Sequence, residues 1–145
     1  MDTGTEIRIT LWTVNNTVEE LELKNIAATR LGLTDFLILK TILLEGPLPV
    51  NIIGSKVQLT SGSTTTAVDR LEAKKMVQRR QSRHDGRVFL VHLTAKGRRL
   101  ITAAFKDYED QLEELFEALS PSERIVLTHL LKKVGSRADR LLAIL

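Results

Sequence analysis

The residues best suited to chemistry lie between positions 56 and 99. Eleven lysines and arginines fall there (Lys56, Arg70, Lys74, Lys75, Arg79, Arg80, Arg83, Arg87, Lys96, Arg98 and Arg99) against three acids, Asp69, Glu72 and Asp85, a net of +8. The whole chain carries only +3, so the remaining residues sum to −5. Positive charge gathered in one segment is the footprint of a surface that binds a polyanion. A merely solvated basic face would show the same charge, so the shape of the segment has to decide. Two smaller clusters give it shape. Ser61, Ser63, Thr64, Thr65 and Thr66 crowd short hydrogen-bonding side chains at one point, and Arg83-His84-Asp85-Gly86-Arg87 sets cations around a turn.

Catalytic constellations do not stand out. The sequence shows no glycine-rich phosphate loop and no nucleophile beside a base, so an enzyme is not expected. Glu113-Glu114 falls on a helix whose apolar stripe already explains its pattern. His84, His92 and His129 lack metal-ligand spacing, so neither a metal nor a cofactor is expected. With no cysteine, thiol redox sensing and thiolate metal sites are excluded. The 145 residues fit one domain with helical extensions, long enough to bury a core without disulfides. The start MDTGTEIR shows no signal peptide, and no apolar run approaches the roughly 20 residues of a membrane span. The expectation is a soluble cytoplasmic protein with no membrane partner.

The elements that must position these clusters follow in order. Ile7, Leu11, Val14, Val18, Leu21, Ile26 and Leu31 predict a helix over 5–31, short and threonine-rich, that depends on packing against something, such as a second subunit. Thr34 is the expected cap of a second helix, with Asp35 in its first turn and a broad apolar face from Phe36 to Leu43. Glu45-Gly46-Pro47 stops it. Leu48-Pro49-Val50 reads as an extended edge. Asn51 is expected to cap a short helix through Gln58 containing Gly54, whose cost points to close approach by the next helix. Leu59-Thr60 turns into a helix over 61–75, with Ala67, Val68 and Leu71 inward. Val77–Ser82 and Arg87–Leu93 read as strands joined by a four-residue turn, Arg83–Gly86, in which Asp-Gly is the hairpin signal. Thr94 caps a long helix over 95–119. Ser120-Pro121-Ser122-Glu123 starts the last helix with a capping box, and Gly135 is expected to bend or break it. Leu141, Leu142, Ile144 and Leu145 leave an apolar tail that calls for a partner surface.

Two short helices, a tight turn between them and a following hairpin make a winged helix-turn-helix. The second helix would enter the major groove with its small polar N-terminus, and the cationic hairpin tip would reach the minor groove. The sequence resembles the MarR family of bacterial transcription regulators. The resemblance is carried by Leu59-Thr60 and the small-polar helix start, Val68-Asp69-Arg70-Leu71-Glu72, Val77, the wing Asp85-x-Arg87, and Leu93-Thr94-x-x-Gly97. It is clear over about 33–100 and rests on helix layout alone elsewhere. One departure is Lys75-Met76, where the family usually ends this helix with glycine.

The resemblance implies a mostly α fold with a small β-hairpin wing. A dimerisation helix would occupy 1–32, the DNA-binding winged helix 33–94 and dimerisation helices 95–145. It implies a homodimer that represses transcription on a pseudo-palindromic double-stranded operator and is released by a small-molecule effector. Ser61, Ser63, Thr64, Thr65 and Thr66 fall where the family reads the major groove. Arg87 matches the minor-groove arginine and Asp85 the acid that braces it, while Arg83 and His84 are candidate phosphate contacts. Arg70 either reaches DNA or pairs with Asp69 or Glu72. Family pockets lie between the dimer helices and the winged helix. Trp12, Phe36, Phe105 and His129 are candidates there, with core packing the expected role of each. The competing reading is a winged-helix interaction scaffold with nonspecific nucleic-acid affinity.

Overall fold

In the computed structural model, which describes residues 2–145, the chain runs α1 (Thr3–Ala28), α2 (Leu33–Glu45), α3 (Val50–Val57), α4 (Ser61–Ala73), β1 (Val77–Gln81), β2 (Phe89–Leu93), α5 (Ala95–Phe116) and α6 (Pro121–Leu142). Two units form. One runs through Tyr108, and the other is Glu109–Leu145.

The first unit is built on α2. Phe36, Ile38, Leu39 and Ile42 are buried, and they meet Ile53 of α3, Ala67, Val68 and Leu71 of α4, Val77 and Val91 of the strands, and Ile101 and Ala104 of α5. A helix apolar over so wide an arc can only sit at the centre of a core. The strands pair antiparallel with Val77 opposite Leu93, Arg79 opposite Val91 and Gln81 opposite Phe89. Leu48 adds a one-residue bridge to Val91, with the Val91 N–H donating to the Leu48 carbonyl at 2.8 Å. The extended edge expected at 48–50 is thus reduced to this bridge at Leu48, because Val50 already opens α3.

Several helix starts differ from the sequence reading. Gly32, not Thr34, is the N-cap of α2, and Pro49, not Asn51, is that of α3. Each helix begins earlier and puts the expected cap inside its first turn. That first turn of α2 carries Asp35 into the interior, where it is 4 % exposed. The first helix starts two residues earlier than expected and ends at Ala28, before Leu31. It runs 26 residues, and Asp2 caps it by accepting from the Thr5 N–H at 2.8 Å. Ile26, near its C-terminal end, is buried, whereas Ile7, Ile9, Leu11, Trp12, Val14, Leu21 and Leu23 are exposed.

In the second unit α6 begins as expected. Ser120 accepts from the Glu123 N–H while the Glu123 carboxylate accepts from the Ser120 N–H, and Pro121 follows the cap. Arg124 bonds Glu113 at 2.8 Å and the Phe116 carbonyl at 3.0 Å, closing the turn between α5 and α6. The long helix α5 thus ends at Phe116 rather than 119. Gly135 neither breaks nor ends α6, which continues to Leu142. None of the described residues of α6 is buried within the chain.

Candidate nucleic-acid interface

The helix-turn-helix is held tight by a missing side chain. A Cβ on Gly54 of α3 would lie 2.7 Å from the Thr64 hydroxyl of α4 and 3.4 Å from the Leu59 carbonyl. The glycine, costly inside a helix, lets α4 start against α3. Gln58 takes the left-handed conformation at the turn, with φ of 58°. Thr60 caps α4 by accepting from the Ser63 N–H at 3.2 Å.

This geometry divides the five hydroxyl residues. Ser61, Ser63, Thr65 and Thr66 are exposed at the N-terminal end of α4. Thr64 is fully buried, and its hydroxyl donates to the Thr60 carbonyl at 2.8 Å. Thr64 is therefore withdrawn from the reading surface: its position, three residues into a helix packed on α3, turns it into the core. An open concavity of about 540 Å³ lies beside the exposed hydroxyls, lined by Thr34, Gly62, Ser63, Thr66 and Arg70 among others.

The far end of α4 is closed by the start of α5. Lys75 adopts φ of 60°, the left-handed geometry in which a glycine is normally favoured. Met76 N–H then reaches back to the Leu71 carbonyl at 3.0 Å and Lys75 N–H to the Glu72 carbonyl at 2.9 Å. The Thr94 hydroxyl donates to the Lys75 carbonyl at 2.6 Å and accepts from the Gly97 N–H at 3.0 Å. Lys96 donates to the Lys74 carbonyl at 3.0 Å. A Cβ on Gly97 would collide with the Met76 carbonyl. The spacing Thr94-x-x-Gly97 is thus a docking joint between α5 and the end of α4.

The wing tip is longer than the expected four-residue turn. The Ser82 N–H donates to the Val88 carbonyl at 2.7 Å, and the Val88 N–H to the Asp85 carbonyl at 3.0 Å. The turn is Asp85-Gly86-Arg87-Val88, so the second strand begins at Phe89 rather than Arg87. Gly86 does not use a positive φ. The Asp85 carboxylate accepts from the Arg87 backbone N–H at 3.0 Å and from its Nε at 3.2 Å. Those bonds, the backbone one first, hold the Asp85 carboxyl below its ordinary pKa. Arg87 nevertheless keeps 91 % of its side chain exposed. It is pre-aimed and open. Arg83 and His84 stand exposed on the same tip.

Arg70 pairs with neither Asp69 nor Glu72. Its Nη2 lies 2.5 Å from Oδ1 of the buried Asp35. Asp69 and Glu72 are taken instead by Arg79 of β1, at 2.6 and 2.9 Å. Sequence reasoning missed both partners, because Asp35 is 35 residues from Arg70 and looked like an ordinary first-turn acid, while Arg79 reaches back from the strand after α4. Of the four aromatic and histidine candidates, Phe36 is buried and Phe105 partly so, but Trp12 and His129 are exposed and pack in no core of this chain. No helix among the described residues is long and apolar enough to cross a membrane.

Comparison with known proteins agrees with this geometry. The MarR family model matches residues 31–89, which hold α2, α3, α4, β1 and the wing tip up to the first residue of β2. The HTH-type transcriptional regulator MhqR of Bacillus subtilis is 36 % identical, over 81 % of this chain and 81 % of its own length. A MarR family protein from Bacillus stearothermophilus superposes with a TM-score of 0.82 at 25 % identity, covering 96 % of this chain and 99 % of that one. A mutant MarR from E. coli complexed with operator DNA superposes with a TM-score of 0.73 at 25 % identity, covering 92 % and 99 %. The chain belongs to the MarR family, and is a DNA-binding winged helix-turn-helix transcriptional regulator rather than an enzyme.

Proposed function

We propose that the protein is a homodimeric, cytoplasmic repressor that binds a pseudo-palindromic operator and is released by a small-molecule effector. In this reading Ser61, Ser63, Thr65 and Thr66 read base edges in the major groove, and Arg87, braced by Asp85, enters the minor groove. Arg83 and His84 contact phosphates. The observation that carries it is the pairing of an uncharged, exposed hydroxyl cluster at the open end of α4 with a pre-aimed, exposed arginine on the wing. Short hydroxyls suit close approach to base edges, and the narrow minor groove attracts arginine. The E. coli MarR complex provides a precedent for operator binding on this fold.

The dimer reading is supported by the apolar surface at both ends of the chain. Ile7, Leu11, Val14 and Leu21 of α1, and Ile125, Leu130, Val134, Leu141 and Leu142 of α6, are exposed in a single chain. Patches of this kind mark partner surfaces. We assign 1–32 and 95–145 to the dimer and 33–94 to DNA.

The test is titration against a duplex from the protein's own promoter and against a scrambled duplex. Two half-sites about one helical turn apart and a steep loss of affinity with salt are expected. Equal affinity for both duplexes would favour an interaction scaffold with nonspecific affinity. Arg87→Ala should weaken operator binding by roughly 1–3 kcal/mol while the helix content stays constant by circular dichroism. Unchanged affinity would remove Arg87 from the minor groove.

A further inference from the structure

The C-terminal half of α4 and its cap carry four charged residues, Asp69, Arg70 and Glu72 in the helix and Lys74 at the C-cap. Each is engaged inside the protein. Asp35, in the first turn of α2, meets Arg70 through Oδ1 at 2.5 Å and Lys74 through Oδ2 at 3.7 Å. On the other flank Arg79 of β1 meets Asp69 at 2.6 Å and Glu72 at 2.9 Å, and its backbone N–H donates to the second Glu72 oxygen at 3.0 Å. The helix is gripped from two sides by two other elements.

We propose that Asp35 is a positioning residue for DNA recognition, and that Arg70 and Lys74 serve the protein's own geometry rather than the phosphate backbone. Arg70 and the C-cap residue Lys74 are four apart, and because the cap keeps helical φ and ψ the two lie one above the other on one side of the helix end. One carboxylate therefore grips a full turn with both oxygens. Asp35 is buried, so its carboxylate depends on those two cations as partners. Rolling or sliding α4 against α2 would strip a buried charge of its partners. Arg79 resists the same movements from the opposite flank, through residues three apart on a different face.

The N-terminal half shows why such a clamp matters. Ser61, Ser63, Thr65 and Thr66 have the shortest polar side chains available and little freedom to adapt. Their hydroxyls meet base edges within hydrogen-bonding tolerance only if the helix is already set at the right roll and depth. A long arginine or glutamine could compensate for a misplaced helix, but these residues cannot. The clamp also offsets one of the two positive charges and holds both side chains against the protein, which lowers nonspecific attraction to phosphate. It trades affinity for discrimination.

This inference rests on sequence-specific DNA binding, so the wild-type ratio of affinities for operator and scrambled duplex is measured first; a ratio of one overturns that reading and not the clamp. Asp35→Asn, Asp35→Glu and Arg70→Gln are then titrated on both duplexes across a salt series, with melting temperature recorded. Asp35→Asn is expected to cut the affinity ratio about ten-fold or more, the size of losing one good base contact. On the scrambled duplex it should bind more tightly, with a log–log salt slope steeper by up to about two, because two cations become available to phosphates. Asp35→Glu should retain part of the ratio. Arg70→Gln should lower the ratio and leave the slope unchanged.

An unchanged ratio in Asp35→Asn overturns the proposal. So does an equal weakening on both duplexes that follows the melting temperature, which is the pattern of a merely structural residue. Arg70→Gln with a slope shallower by about one would make Arg70 a phosphate contact and overturn its assignment. Should Asp35→Asn fail to fold, Glu72→Gln at the half-exposed end of the second clamp takes its place. A severalfold loss of the ratio supports the clamp, and an intact ratio overturns it.

Discussion

Phe36, Ile38, Leu39, Ile53, Val68, Leu71 and Ile101 are at most 1 % exposed, all within the winged helix and the start of α5. Along α1 and α6, Trp12 is 59 % exposed, Ile125 71 % and Leu142 68 %. The two groups of residues are equally apolar, yet one has found its partners inside the chain and the other has not. The winged helix closes its own core. The flanking helices leave large apolar residues exposed, the surface that the proposed dimer would cover. A mutation in one region should therefore act through folding, and in the other through assembly.

The largest effect is expected from the closed region. Leu39→Ala removes a fully buried side chain from the centre of α2 and should cost about 2–5 kcal/mol of unfolding free energy in a denaturant titration. Because α2 touches α3, α4 and β2, DNA binding should fall in step with stability. A loss well under 1 kcal/mol would mean that the core does not centre on α2.

A smaller effect on folding, but a complete one on assembly, is expected from the open region. Deleting 136–145 removes Leu141, Leu142, Ile144 and Leu145, none of them buried within the chain. The winged helix should keep its unfolding transition, while light scattering shows monomer or aggregate in place of the proposed dimer. A dimer of unchanged mass would show that the tail is not a partner surface.

The same contrast explains what could be read from sequence. Gly54, Thr94-x-x-Gly97 and the Ser120 capping box were legible because each signal is local: a glycine where a helix should not have one, a cap at fixed distance from its partner amide. The core of α2 was legible from its unbroken apolar arc. Thr64 was misread because a run of three threonines looks uniform, and only the packing of α3 on α4 turns one of them inward. Asp35 was misread for the opposite reason. An acid in a first helical turn has a sufficient local explanation in the helix dipole, and its real partners lie 35 and 39 residues away. The Gly86 signal failed because the turn closes at Val88, two residues later than the expected turn Arg83–Gly86. Lys75 shows that a left-handed helix end can form without glycine when Thr94 and Lys96 hold the carbonyls around it.

The subtlest probe of the boundary between the two regions is Tyr108, the only tyrosine in the chain. Its ring lies 5.6 Å from Phe36 and 6.0 Å from Phe105, and the Lys40 ammonium sits 5.8 Å from its centroid. Its hydroxyl donates to Glu22 at 3.0 Å, tying the C-terminal half of α1 to the core. Burial first, then the Glu22 hydrogen bond and its negative charge, push the phenol up to about 12. The protonated phenol is neutral, so a raised pKa means that the folded state holds the proton more tightly than the unfolded chain. The stabilisation is complete below pH 10, the ordinary value, and is lost as pH rises through 12. Tyrosinate absorbance should therefore appear late in an alkaline titration. Glu22→Gln keeps an acceptor but removes the charge, so the midpoint should fall towards 10 without reaching it, because burial remains. At neutral pH the substitution should cost little, because the amide oxygen still accepts the phenol proton. If the phenol instead titrated at its ordinary value in the folded wild type, Glu22 would not be docked on Tyr108. Only Ile26 would then tie α1 to the self-contained region, and the rest of that helix would belong to the partner-dependent surface.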